Sequence, residues 1–303
     1  MDEFTIIKKD YLLPIAVVIS AIIISFSWLY KARTECRLKQ PQSKLPQENQ
    51  LNANQQKEIM IASEETTLPV RWGDLGMRLA STGVIDAAKI NTLYQNRSGK
   101  ETMQKMLFEN DEQNVVINSE NSKVLLNFFW ALGLSNKNAI LETGEMANPR
   151  YGGAGNFAST GGWTLAKEDA MEHYSRHPFV VLAPDQQELV DRVAKNIYRP
   201  CCNNSTHFPD CNHGMAMLGL LELMASQGVS ENEMYKAALQ LNSFWFPDGY
   251  AAIAQYLKLK GIDWNKINPK EILGAKYSSS SGYRQILSQV TIPAKKLSGG
   301  CEI

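Results

Sequence analysis

Five residues able to bind a soft metal ion or react as thiols crowd one stretch of this chain, in which Arg199-Pro200 leads into Cys201, Cys202, His207, Cys211 and His213. The pattern is C-C-x8-C-x-H. Thiolate and imidazole ligands suit zinc or copper, with iron a lesser fit, and three sulfurs plus one nitrogen would complete a tetrahedral Cys3His set from Cys201, Cys202, Cys211 and His213. The adjacent cysteines depart from the C-x2-4-C spacing of common zinc knuckles, so a turn after Pro200 has to bring both sulfurs to one side. Cys211 and His213 open a strongly apolar run, where the unpaired N–H groups at the start of a helix favour a thiolate. Asn212 is placed to cap that helix, and Asp210 to orient His207 or His213.

His207 is a reserve ligand, as are His173 and His177, which stand at i and i+4 and would share one face of a helix. No glutamate lies between those two histidines, so the HExxH metalloprotease motif is not met. They also read simply as cations complementing a helix end before Pro178. The cysteines likewise have readings without metal: a Cys201–Cys211 or Cys202–Cys211 disulfide, or buried inert thiols. Cys36 and Cys301 lie far from the cluster in sequence. Met215, Met217 and Met224 read as core filling.

The elements that must position these groups read as mainly α-helical. Asp86 caps a helix running to about residue 96, and the apolar stretch after Asn121 forms a largely buried helix that stops near Gly133. Further helices are expected over residues 165–177, 185–198, 213–227, 231–244 and 250–260, punctuated by Pro184, Pro200, Gly228, Pro247 and Gly261. Only short runs at 115–117 and 179–182 look like strand. Residues 144–162 hold six glycines without apolar periodicity. They read as a long ordered loop, one whose glycines would let backbone approach the Cys/His segment. Arg150 and that glycine run lack a Gly-Lys-Ser/Thr ending, which removes the phosphate-loop reading. No serine, Ser159 included, sits in a nucleophile elbow. The serine-rich run between Tyr277 and Tyr283 reads as a flexible loop.

Around this domain the chain divides into a short tail at 1–10, an uncharged apolar span at 11–30, a polar tether at 31–68, the compact helical domain at 69–290 and a C-terminal tail at 291–303. Twenty uncharged residues match the length that crosses about 30 Å of hydrocarbon, and Tyr11, Trp28 and Tyr30 sit where rings favour the interface. The lipid bilayer is therefore one expected partner. Basic residues after the span argue for a cytoplasmic domain, whereas the layout of a short tail, one span and a folded domain is that of a signal-anchored protein facing outward, the orientation expected here. With 31 basic and 31 acidic residues there is no whole-chain field to draw nucleic acid.

At PRYGGAGNFASTGGWTLA, at YRPCCNNSTHFPDCNHGMAMLGLLELMASQG and at LNSFWFP the chain resembles an uncharacterised family of signal-anchored proteins from candidate-phylum bacteria. The PCC…DCNH stretch is faintly similar to Pro-Cys-Tyr-Cys-Gly-Cys surface proteins of Gram-positive bacteria, although the Cys-x-Cys-x-Cys order is absent. The resemblance implies a bacterial, extracytoplasmic location and carries no activity with it. Three functions stay open: an anchored metal-binding protein, a disulfide-stabilised interaction module with an envelope protein as partner, and a thiol or metal-dependent envelope enzyme.

Overall fold

A computed structural model of the chain describes residues 65–290. Two antiparallel strands, β1 (Glu65–Gly73) and β2 (Asp111–Asn118), form a small sheet that runs from Glu65 opposite Asn118 to Gly73 opposite Asp111, with the register shifting between Thr67 and Arg71 and again between Arg71 and Gly73. Between them run α1 (Leu75–Ser81), α2 (Ala87–Tyr94) and α3 (Lys100–Phe108). The chain continues through α4 (Ser122–Ser135), α5 (Ala139–Thr143) and α6 (Pro184–Ala194), then α7 (Asn212–Ser226), α8 (Glu231–Trp245) and α9 (Pro247–Leu259). Three short helices follow: α10 (Pro269–Leu273), α11 (Ala275–Ser278) and α12 (Ser280–Leu287). The described residues are thus mainly helical, as composition and periodicity require.

Local chemistry accounts for most helix starts. The Asp86 carboxylate accepts from Ala88 N and Lys89 N, and Ser230 forms a capping box with Glu233 ahead of α8. Proline occupies the first turn of α6, α9 and α10, where its missing N–H removes no helical bond.

The core is built on α4 against α7. Every residue of α4 except Lys123 is buried, and every residue of α7 except Ser226. Gly133 does not end α4: it lies inside the helix, because a Cβ there would overlap the Met215 carbonyl of α7, and a Cβ on Gly219 would overlap the Phe129 carbonyl of α4. Two glycines therefore let the backbones touch. Trp72 from β1 packs edge-on against Phe128 and Phe129, with ring centroids 5.7 and 5.8 Å away, and donates its indole N–H to Met106 O.

Several expectations are corrected. β1 begins at Glu65, inside the stretch read as tether, and its Leu68 is fully buried in the core. Residues 165–177 form no helix beyond the single turn Ala170–Glu172. The N–H groups of Ser175, Arg176 and His177 donate instead to Leu134 and Ser135 carbonyls at the end of α4, with Ser175 held at a φ of 49°. Residues 179–182 do not join a sheet, since Val180 N is taken by the Asn136 side chain. The serine run is helical: Ser279 caps α12 by accepting from Gly282 N. Residues 144–162 do form an irregular loop, tightened by three single 3-10 turns.

Among the described residues no helix is long and apolar enough to cross a membrane. The expected span at 11–30, both tails, most of the tether, Cys36 and Cys301 lie outside the described residues.

Candidate metal centre

Cys211 is the residue from which α7 departs. Its backbone is extended, with φ −119° and ψ 162°, and its side chain does not cap the helix. The sulfur is thereby left to face the preceding loop. That loop is folded by local bonds: Cys202 N donates to Arg199 O, Thr206 N to Ile197 O, and Phe208 N to Ser205 O. The turn at 199–202 does what the C-C spacing demanded. Cys201 Sγ comes to 3.6 Å from Cys211 Sγ, and Cys202 Sγ to 3.9 Å.

These separations exceed the bonded S–S length of about 2.05 Å. They straddle the edge of a tetrahedron of sulfur around zinc, about 3.7–3.8 Å for a bond of about 2.3 Å. Ligand atoms of Cys201, Cys211 and His213 all lie within 4.8 Å of one another, and so do those of Cys202, Asp210 and Cys211. The cluster can hold a metal ion through either set, and Cys211 belongs to both.

Residues around the cluster decide between the two sets. Arg199 is 1% exposed, and its guanidinium donates to Cys211 Sγ from Nε (3.0 Å), to Asn204 O from Nη1 (3.0 Å) and to Asp210 Oδ1 from Nη2 (2.9 Å). Asn204 Nδ2 donates to the second Asp210 oxygen at 2.8 Å. Both carboxylate oxygens are thus already engaged, and the positive charge beside the Cys202, Asp210 and Cys211 set is the protein's own. Gly214 makes room for it, because any Cβ there would overlap the guanidinium. The other set, Cys201, Cys211 and His213, shares the Arg199 contact through Cys211 but offers an imidazole where the first offers a carboxylate already engaged. The His213 ring is held by Trp245 and Phe246, with centroids 5.6 and 4.4 Å away, and its Nδ1 is buried without a hydrogen bond.

Charge follows from this packing. Burial works against the charge of Arg199, but Cys211, Cys202, Cys201 and Asp210 more than offset it and hold the guanidinium above its ordinary value. Burial raises the Asp210 carboxyl and Arg199 lowers it, leaving it above the usual range. At Cys202 the contact with Cys201 pulls the thiol down, while the hydrogen bond to Cys211 and burial push harder the other way, to about 12.

The three reserve histidines do not enter the cluster. His207 Nε2 meets Asp191 Oδ1 of α6 at 2.6 Å, beside a cleft of about 490 Å³ lined by Ile140, Thr143, Gln187 and Lys195. Asp210, expected to orient His207 or His213, is committed to Arg199 and Asn204. His173 Nδ1 lies 3.1 Å from His177 Nε2 and its Nε2 is 3.4 Å from Glu168, so these two histidines form a separate pair on the segment docked to the end of α4. Asn212 is the first residue of α7 and does not cap it. The glycine loop does reach the Cys/His segment: Ser159 N donates to Asp210 O, and Tyr151 and Phe157 pack on Phe208 at 5.3 and 5.4 Å. Arg150 engages Glu145 and Tyr151 of its own loop.

Arg199 is the member of the cluster that ligand spacing does not reveal. Its one sequence signal is its place two positions before Cys201. No protein-family model, curated protein or solved structure matches the chain.

Proposed function

We propose that the protein is a membrane-anchored, extracytoplasmic metal-binding protein whose centre takes zinc or copper on Cys201, Cys211 and His213, with Cys202 as the fourth ligand. One observation carries this reading: three ligand atoms from two loop positions and a helix start converge within 4.8 Å, with the sulfurs at tetrahedral spacing. Charge supports it. Three thiolates and a neutral imidazole leave one excess negative charge around a divalent ion, and Arg199 supplies the balancing positive charge at a hydrogen bond to Cys211. Iron is the lesser fit, because thiolate-held iron favours all-cysteine sets and non-haem iron a set of two histidines and one carboxylate.

Placement at the membrane rests on the uncharged span at 11–30 and on the resemblance to signal-anchored proteins. The partly exposed Cys201 and Cys202 give a metal a route in from solvent. Elemental analysis of the full chain, purified anaerobically in detergent, should find about one zinc or copper per chain, and C211S and H213A should each lose it. A chain that stays metal-free after incubation with either ion and removal of excess overturns the reading. The 3.6 Å Cys201–Cys211 approach favours one rival, a disulfide-stabilised interaction module with an envelope partner. That rival predicts an oxidised pair and no metal in the same sample.

A further inference from the structure

Thiol groups that touch can do more than share an ion. We infer that the cluster performs thiol–disulfide exchange with small disulfides, with Cys211 as the sulfur common to every internal bond it makes. The geometry is asymmetric. Cys211 Sγ is in contact with both neighbours, at 3.6 and 3.9 Å, and is buried at 6% exposure, whereas Cys201 and Cys202 are partly exposed. A disulfide arriving from solvent meets Cys201 or Cys202 first, and Cys211 stands behind either of them.

The chemistry is a pair of displacements on sulfur. The thiolate of Cys201 attacks one sulfur of a low-molecular-weight disulfide, forming a mixed disulfide and releasing one thiolate. The thiolate of Cys211 then attacks the Cys201 sulfur and expels the second. Two protein thiolates lose two electrons in all, and the external disulfide gains them as two thiols. Cys202, whose neighbours hold its thiol protonated in the reduced cluster, enters more slowly, by the same sequence or by attacking Cys211 and passing the bond from Cys201 to itself. The approach from 3.6 Å to about 2.05 Å is taken up in the turn at 199–202. Where the centre carries a metal, and this part rests on the function proposed above, closing the bond removes two of its sulfurs and releases the ion.

The test uses the full chain in detergent with Cys36 and Cys301 replaced by serine, both as purified and after metal removal by a chelator. Metal content is measured first, so that reading stands or falls by itself. Oxidised glutathione is then added, disulfides are mapped by mass spectrometry and released metal is followed with a chromophoric chelator. Mapping should find Cys201–Cys211 and Cys202–Cys211 bonds, with metal release tracking the loss of two thiols. C201S should retain a Cys202–Cys211 bond and C202S a Cys201–Cys211 bond, while C211S should stop at the glutathione adduct. The inference is overturned if the main product is Cys201–Cys202, or if no intrachain bond forms in the metal-free protein while its circular dichroism remains native.

Discussion

Arg199 and Glu222 are both buried charges of the kind that folding tolerates only with partners, and they behave differently. Arg199 keeps its charge because three thiols and Asp210 surround it. Replacing it by methionine leaves Asp210 and the cysteines without their counter-charge. R199M should therefore cost about 3–5 kcal/mol in denaturant unfolding and weaken metal binding about 10–100-fold in a competition titration. Glu222, midway along α7, is fully buried and accepts from Asn136 Nδ2 and Asn138 Nδ2. Burial raises its carboxyl well above the ordinary value of 4.5, against the pull of those two amides. Its contribution to stability is therefore complete below about pH 4.5 and is lost as pH rises toward the folded value. Both asparagines are locked as donors toward it, since their Oδ1 atoms take Val180 N and Ile140 N. E222Q sets an amide N–H against one of them, and should be less stable than wild type at pH 5 by about 1–3 kcal/mol. Thermal melts across pH should show that gap narrowing upward, because only the wild type loses stability on that side.

Helices with strong periodicity and a cap or proline at the start are legible in the sequence. Asp86, Pro184, Gly228 and Pro247 mark the starts of α2, α6, α8 and α9 within a few residues. What was not readable came from contacts between distant segments. Gly133 reads as a stop, yet α7 needs its missing side chain, and the histidine-bearing segment at 165–177 gives the N–H groups of Ser175, Arg176 and His177 to the end of α4 in place of a helix of its own. The cluster divides the same way: the crowding of Cys201, Cys202, Cys211 and His213 in one stretch singles it out although the adjacent cysteines depart from common spacing, whereas the commitment of Asp210 to Arg199 and the diversion of His207 to Asp191 depend on how the loop and α6 fold. G133A forces α4 off α7, and chemical denaturation should show a loss of about 1–3 kcal/mol. An equal loss should follow from G219A, and the double variant should fall short of the sum because both relieve one contact.

For the chain as a whole, the expected anchor at 11–30 and the centre are linked by compartment. Thiols facing outward meet oxidants, and thiols facing the cytoplasm stay reduced. A membrane-impermeant maleimide added to intact cells that express a C36S, C301S variant should label Cys201 or Cys202 once metal is chelated and disulfides are reduced. Labelling only after the cells are broken would place the domain inside. Deleting residues 1–30 should move the protein from the membrane pellet to the supernatant on carbonate extraction.

β1 is the first described element, and its outer edge is closed by a side chain: Gln227, just beyond α7, accepts from Arg71 N and donates to Arg71 O as a neighbouring strand would. Force entering the chain at Glu65 is therefore carried first by the β1–β2 ladder and this amide clamp, with Trp72 wedged behind them in the core. The cysteine centre lies at the opposite end of α7 from Gln227. A pull on the chain ahead of Glu65 spends itself in shearing a short ribbon before it can distort the cysteine cluster, so the domain can be tugged from that side while its sulfurs keep their spacing.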